Sequence, residues 1–70
     1  MAVPVTARSE VEDKHGRPIR VGSRVRTAGV AEPVEVHQID PRYGVVVVLV
    51  PGRAGQRMGQ MVRARDVEVV

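Results

Sequence analysis

The run Gly44-Val45-Val46-Val47-Val48-Leu49-Val50 decides the fold class. It ends at Pro51-Gly52 and is far too short to cross a bilayer, but long enough for a strand of about 23 Å. Valine is β-branched and stiff at χ1, so a pleated strand suits it better than a helix. Side chains alternate along a strand, so Val45, Val47 and Leu49 share one face and Val46, Val48 and Val50 the other. Both faces are apolar. Such a strand is either central and covered on both sides, or one of its faces meets a partner.

Working outward, Val34-Glu35-Val36-His37-Gln38-Ile39 is expected as the preceding strand. Its apolar positions at 34, 36 and 39 break strict alternation, which predicts a bulge near His37-Gln38. Asp40-Pro41-Arg42-Tyr43-Gly44 is expected as the hairpin turn joining the two, since Pro presets φ and Gly accepts a positive φ. Ser23 to Ala28 is expected as an earlier strand, with Val25 inward and Arg24 and Arg26 outward. Val11 begins a short strand, and Asp13 to Gly16 supplies turn residues. Downstream, Pro51 to Gly59 is expected as a loop because it holds three glycines. Gln60 to Ala64 then forms a strand, Arg65-Asp66 a turn, and Val67 to Val70 a last strand. Residues 1–10 are expected as a loose arm before a single domain over 11–70.

Composition limits how this fold is held. A chain of 70 residues buries only about 60 % of its unfolded surface, and its stability is on the order of 3–10 kcal/mol. With one Tyr, no Phe, no Trp and no Cys, no disulfide or aromatic cluster contributes. The core is expected from the valines with Ile19, Ile39, Leu49 and Met61. A small domain so built gains from pairing with another chain.

Charge is unevenly placed. Residues 1–40 balance to zero, whereas residues 41–65 carry Arg42, Arg53, Arg57, Arg63 and Arg65 and no Asp or Glu. The second half is therefore the candidate anion-facing surface. Guanidinium groups grip phosphate in bidentate fashion without reading sequence, so duplex DNA or structured RNA is the expected partner. Single-strand binding by base stacking needs aromatic platforms that this chain lacks.

Other chemistry finds little support. His15 and His37, taken with Asp13 or Asp40, lack the spacing of a metal site. Ser9 and Ser23 have no nucleophile signature. Gly52-Arg53-Ala54-Gly55 spells the GxxG of KH domains, but no helices are expected around it, and no Gly-Lys-Ser/Thr phosphate loop follows. No enzyme, cofactor, metal or small-molecule substrate is expected. The N-terminus lacks a basic start and an apolar core, so a cytoplasmic location away from membranes is expected.

The order Gly22-x-x-Val25, Val34-x-Val36-x-x-Ile39, Gly44-x-Val46-x-Val48 and Ala64-Arg65-Asp66-Val67-Glu68-Val69 resembles the SH3-like small β-barrels. Among them it looks most like the KOW-type and related bacterial or phage modules. The resemblance implies an all-β, five-stranded antiparallel meander bent into a barrel, binding RNA, DNA or protein rather than catalysing a reaction. The chain departs from the KOW pattern at Val34, where those motifs carry glycine, and this argues against a ribosomal type of RNA contact. Proline-rich peptides and methyl-lysine require aromatic-lined sites, which one tyrosine does not build. The alternative function is a structural or adaptor protein: a subunit of a larger complex, a phage component or a homo-oligomer. Its interface would be Val46, Val48, Val50 and Val70, because Val-rich edges invite strand addition.

Overall fold

The computed structural model describes residues 11–70. Among them the domain is all-β, with seven strands: β1 (Val11–Glu12), β2 (Pro18–Ile19), β3 (Arg24–Arg26), β4 (Val34–Asp40), β5 (Val45–Pro51), β6 (Arg57–Arg63) and β7 (Glu68–Val69). The expected arm over 1–10 lies outside the described residues. No helix among the described residues is long and apolar enough to cross a membrane.

β3 to β6 run as an antiparallel meander, and β7 returns to the free side of β3, giving the order β6-β5-β4-β3-β7. β1 and β2 form a separate hairpin. This corrects the expectation of five strands closing into a barrel: there are seven, and neither sheet closes. The reason lies at the outer side of β7. Its Val69 N–H donates to Asp13 Oδ2 at 2.8 Å, and its flanking Val67 carbonyl accepts from Lys14 N–H at 3.0 Å. The turn of the β1–β2 hairpin thus takes the hydrogen-bonding positions that β6 would need for closure.

The alternation read from the valine run is observed. Val46 and Val48 are fully buried, while Val45, Val47 and Leu49 are half-exposed on the other side. The expected bulge is also present: the β4–β5 register shifts between Val36 and Gln38. That extra residue returns Ile39 to the same side as Val34 and Val36, opposite Val46. The turn after β4 closes as expected, with Asp40 carbonyl accepting from Tyr43 and Gly44 N–H groups and Gly44 at φ 66°. Only glycine adopts that angle at little cost.

The core comprises Val25, Val34, Val36, Val46 and Val48 from the sheet, Val11 and Ile19 from the hairpin, and Ala64 and Val67. Ile39 packs against it, but Met61 is 68 % exposed and belongs to the surface. The expected loop over 51–59 is also shorter. Pro51 ends β5, Arg57 begins β6, and seven continuous pairs from Val45↔Arg63 to Pro51↔Arg57 join them. Glycine content signals a loop locally, but pairing with β5 extends the strand through Gly59.

Asp13 is the one buried charged side chain among the described residues, 4 % exposed. Its Oδ1 accepts from His15 N–H at 2.9 Å and Arg17 N–H at 2.8 Å, while Oδ2 takes Val69. Burial alone would raise its pKa. The three N–H donors, with His15 nearby, outweigh burial and hold the carboxyl below its ordinary value of 3.8.

Two stability measurements follow. In urea titrations, Val48→Ala should lose about 2–3 kcal/mol and Val47→Ala under about 1 kcal/mol, because only Val48 leaves a cavity. Asp13→Asn should lose about 2 kcal/mol at neutral pH, since an amide nitrogen cannot accept the Val69 bond. The folded pKa is depressed, so Asp13 stabilises fully well above pH 3.8 and its contribution vanishes as pH falls through the folded value. The Asn variant should therefore show a shallower acid limb; an equally steep one would remove Asp13 from this role.

Candidate nucleic-acid interface

All five arginines of the basic segment are exposed, and none makes an ion pair among the described residues. Their placement follows from the β5–β6 ladder. Directly opposed residues share a face, so Arg57, Gly59, Met61 and Arg63 stand on the same side as Pro51, Leu49, Val47 and Val45. That outer side also carries Glu35 and Gln38 of β4, through their pairing with Leu49 and Val47.

Arg57 and Arg63 lie at opposite ends of β6, about 20 Å apart along the strand. Arg53 joins the Arg57 end, in the short 3-10 turn Arg53–Gly55. This turn is tight: Gly52 N–H donates to Gln56 carbonyl at 2.6 Å, and a Cβ at Gly52 would stand 3.0 Å from Met58 Cγ. Arg42 and Arg65 belong to the Arg63 end, in the β4–β5 turn and in the 3-10 turn Ala64–Asp66. The set expected on one basic side is thus divided into two groups at the two ends of one ribbon.

The Arg63 end is concave. Arg63 and Arg65 line an open, mainly polar cleft with Pro41 and Tyr43 of the turn and Val11 and Glu12 of the hairpin. Tyr43 is 71 % exposed there. Sequence reasoning does not single it out, although the one aromatic residue of the chain, placed directly after Arg42, was a usable signal. The Arg57 end is more mixed, because Arg57 shares a shallow groove with Glu32, Glu35 and Arg24.

The residues expected to form a protein interface are placed differently. Val46 and Val48 are 0 % exposed and pack in the core, leaving no surface for a partner. Val50 is half-buried against the same core, and Val70 is exposed beside β7. The apolar side that does reach the surface is Val45, Val47 and Leu49. Alternation alone does not say which side of the strand is inward, and the structure buries the side with Val46 and Val48.

The oxygens of Asp13 are occupied by backbone donors, and His15 Nε2 lies 3.5 Å from Glu68 Oε2 instead. His37 is exposed at the bulge. Among the described residues no three His, Asp or Glu side chains are grouped to hold a metal ion. Comparison with family models, curated proteins and solved structures gives no match.

Tyr43 reports this cleft directly. Nearby guanidinium charge concentrates small anions, so the iodide-to-acrylamide quenching ratio at Tyr43 should exceed that of free tyrosine amide. Arg63→Gln with Arg65→Gln should remove that difference; an unchanged ratio would show that the arginines do not shape the field at Tyr43.

Proposed function

We propose that this chain is a non-enzymatic binding module that contacts the phosphate backbone of duplex DNA or structured RNA. The observation that carries the reading is the disposition of five exposed arginines, none ion-paired among the described residues, along β6 and in the turns at the two ends of the β5–β6 ribbon. Arg57 and Arg63 are about 20 Å apart along β6, which matches the rise of about six base steps at 3.4 Å each. Groups at the two ends of a rigid ladder suit a regular backbone better than a compact anion. Tyr43 offers one stacking surface, too few for a single-strand platform. Kinship with the SH3-like modules belongs to this proposal. It is supported by the meander β3 to β6 with the last strand returned beside β3, although the sheet is open.

A second reading, a small structural or adaptor subunit, is favoured by one specific observation. Val45, Val47 and Leu49 stay half-exposed beside the exposed Met61 on the outer side. Apolar surface of that kind is commonly covered by a partner.

Fluorescence anisotropy with a labelled mixed-sequence duplex should give affinities that fall steeply between about 50 mM and about 200 mM salt. Arg57→Gln and Arg63→Gln should each lower the log–log slope by about 0.9. An unaltered slope in both variants would remove β6 from the nucleic-acid surface. A duplex that fails to bind at low salt would favour the adaptor reading.

A further inference from the structure

The two outer edges of the five-stranded sheet are treated differently. On β7, the outward N–H of Val69 is bonded to Asp13, and the Val69 carbonyl accepts from Arg17 Nη1 at 3.2 Å. On β6, the edge is bare among the described residues. Two bonds flanking the ladder fix its phase: Ala64 N–H to Gly44 carbonyl at 2.8 Å, and Gly52 N–H to Gln56 carbonyl at 2.6 Å. In an antiparallel pair, bonded positions alternate along each strand. Met58, Gln60 and Val62 therefore direct their N–H and C=O groups toward β5. Arg57, Gly59, Met61 and Arg63 direct theirs outward, and none of these groups has a partner among the described residues.

The same four residues carry the outer-face side chains. An incoming strand would meet four backbone bonding positions, an arginine at each end, and Met61 and Gly59 between them. We propose that the β6 edge accepts an extended peptide segment by strand addition. The segment carries carboxylates six residues apart, opposite Arg57 and Arg63, and an apolar side chain opposite Met61. Charge selects this occupant over a second copy of the chain. Pairing β6 with itself in full register sets Arg57 of one copy against Arg63 of the other, and like charges directly opposed destabilise a ladder. Neither arginine is ion-paired among the described residues, although Glu32 and Glu35 line the groove beside Arg57 and Glu12 the cleft beside Arg63, so an acidic strand competes with carboxylates that are near but not engaged. This inference goes beyond the nucleic-acid reading, because it depends on backbone groups that phosphate contacts by side chains do not use.

The test is amide hydrogen exchange by NMR on the full chain, with the peptide acetyl-Glu-Thr-Val-Thr-Val-Thr-Glu-amide. Binding should slow exchange at Arg57, Gly59, Met61 and Arg63 and leave Met58, Gln60 and Val62 nearly as before. Replacing both terminal Glu by Lys should weaken binding about tenfold. N-methylation of the two Val residues, which face β6 in this register, should abolish it. N-methylation of the central Thr, which faces away, should preserve it. These changes are made in the peptide, so folding of the protein is not at issue. Absence of slowing at the four amides overturns the proposal. So does slowing at these amides with rising protein concentration alone, which would assign the edge to a second copy. A duplex that binds without slowing them leaves the arginine reading intact whatever the peptide does, so the two readings fail separately.

Discussion

The carboxylate of Asp13 ties the first described elements of the chain to the last. A buried carboxylate is costly unless its oxygens are satisfied, and here two oxygens serve three backbone donors. Two of the donors shape the turn between β1 and β2, and the third belongs to β7. One side chain therefore both folds a hairpin and clamps it to a strand distant in sequence. In a core of valines, Ile19 and Ala64, without aromatic rings or disulfides, this polar clamp acts beside the β3–β7 ladder in positioning β7.

That clamp occupies the outer side of β7 in the open sheet. With β7 occupied by the hairpin turn, β6 has no edge to close against, and the meander ends in a free strand. The hairpin protects one edge from association with other chains, while arginines at the ends of the other serve as its main guard. Guard and recognition element are compatible roles. Positive charge at both ends discourages self-pairing, and the same charge is what the proposed acidic strand or phosphate backbone would meet.

The seven-pair β5–β6 ladder explains why the basic segment does not gather into one patch. Arg57 and Arg63 are six residues apart on an extended strand, so the strand itself separates them. Turns at either end add Arg53 to one group and Arg42 and Arg65 to the other. Both ends carry mixed charge: Arg63 and Arg65 share a concave cleft with Tyr43, Glu12 and Asp13, and Arg57 shares its groove with Glu32 and Glu35. The proposed recognition would therefore be spread along the ribbon.

Much of this was determined by the sequence alone. The valine run favours a strand, the 34–36–39 spacing points to a bulge, and Asp40 to Gly44 suits a turn, because each follows from side-chain alternation or a local backbone preference, and all three are observed. The five-arginine bias of residues 41–65 was equally open to inspection. Which face of the valine run is inward was decided by tertiary structure, since alternation is symmetric until the hairpin covers one side. Strand pairing, a non-local interaction, extended β6 through Gly59 and moved Met61 to the surface against local propensity. The covering of the β7 edge rests on a bond between Asp13 and Val69, residues far apart in the chain. No local pattern encodes such a contact, because its free energy exists only once the intervening strands have folded.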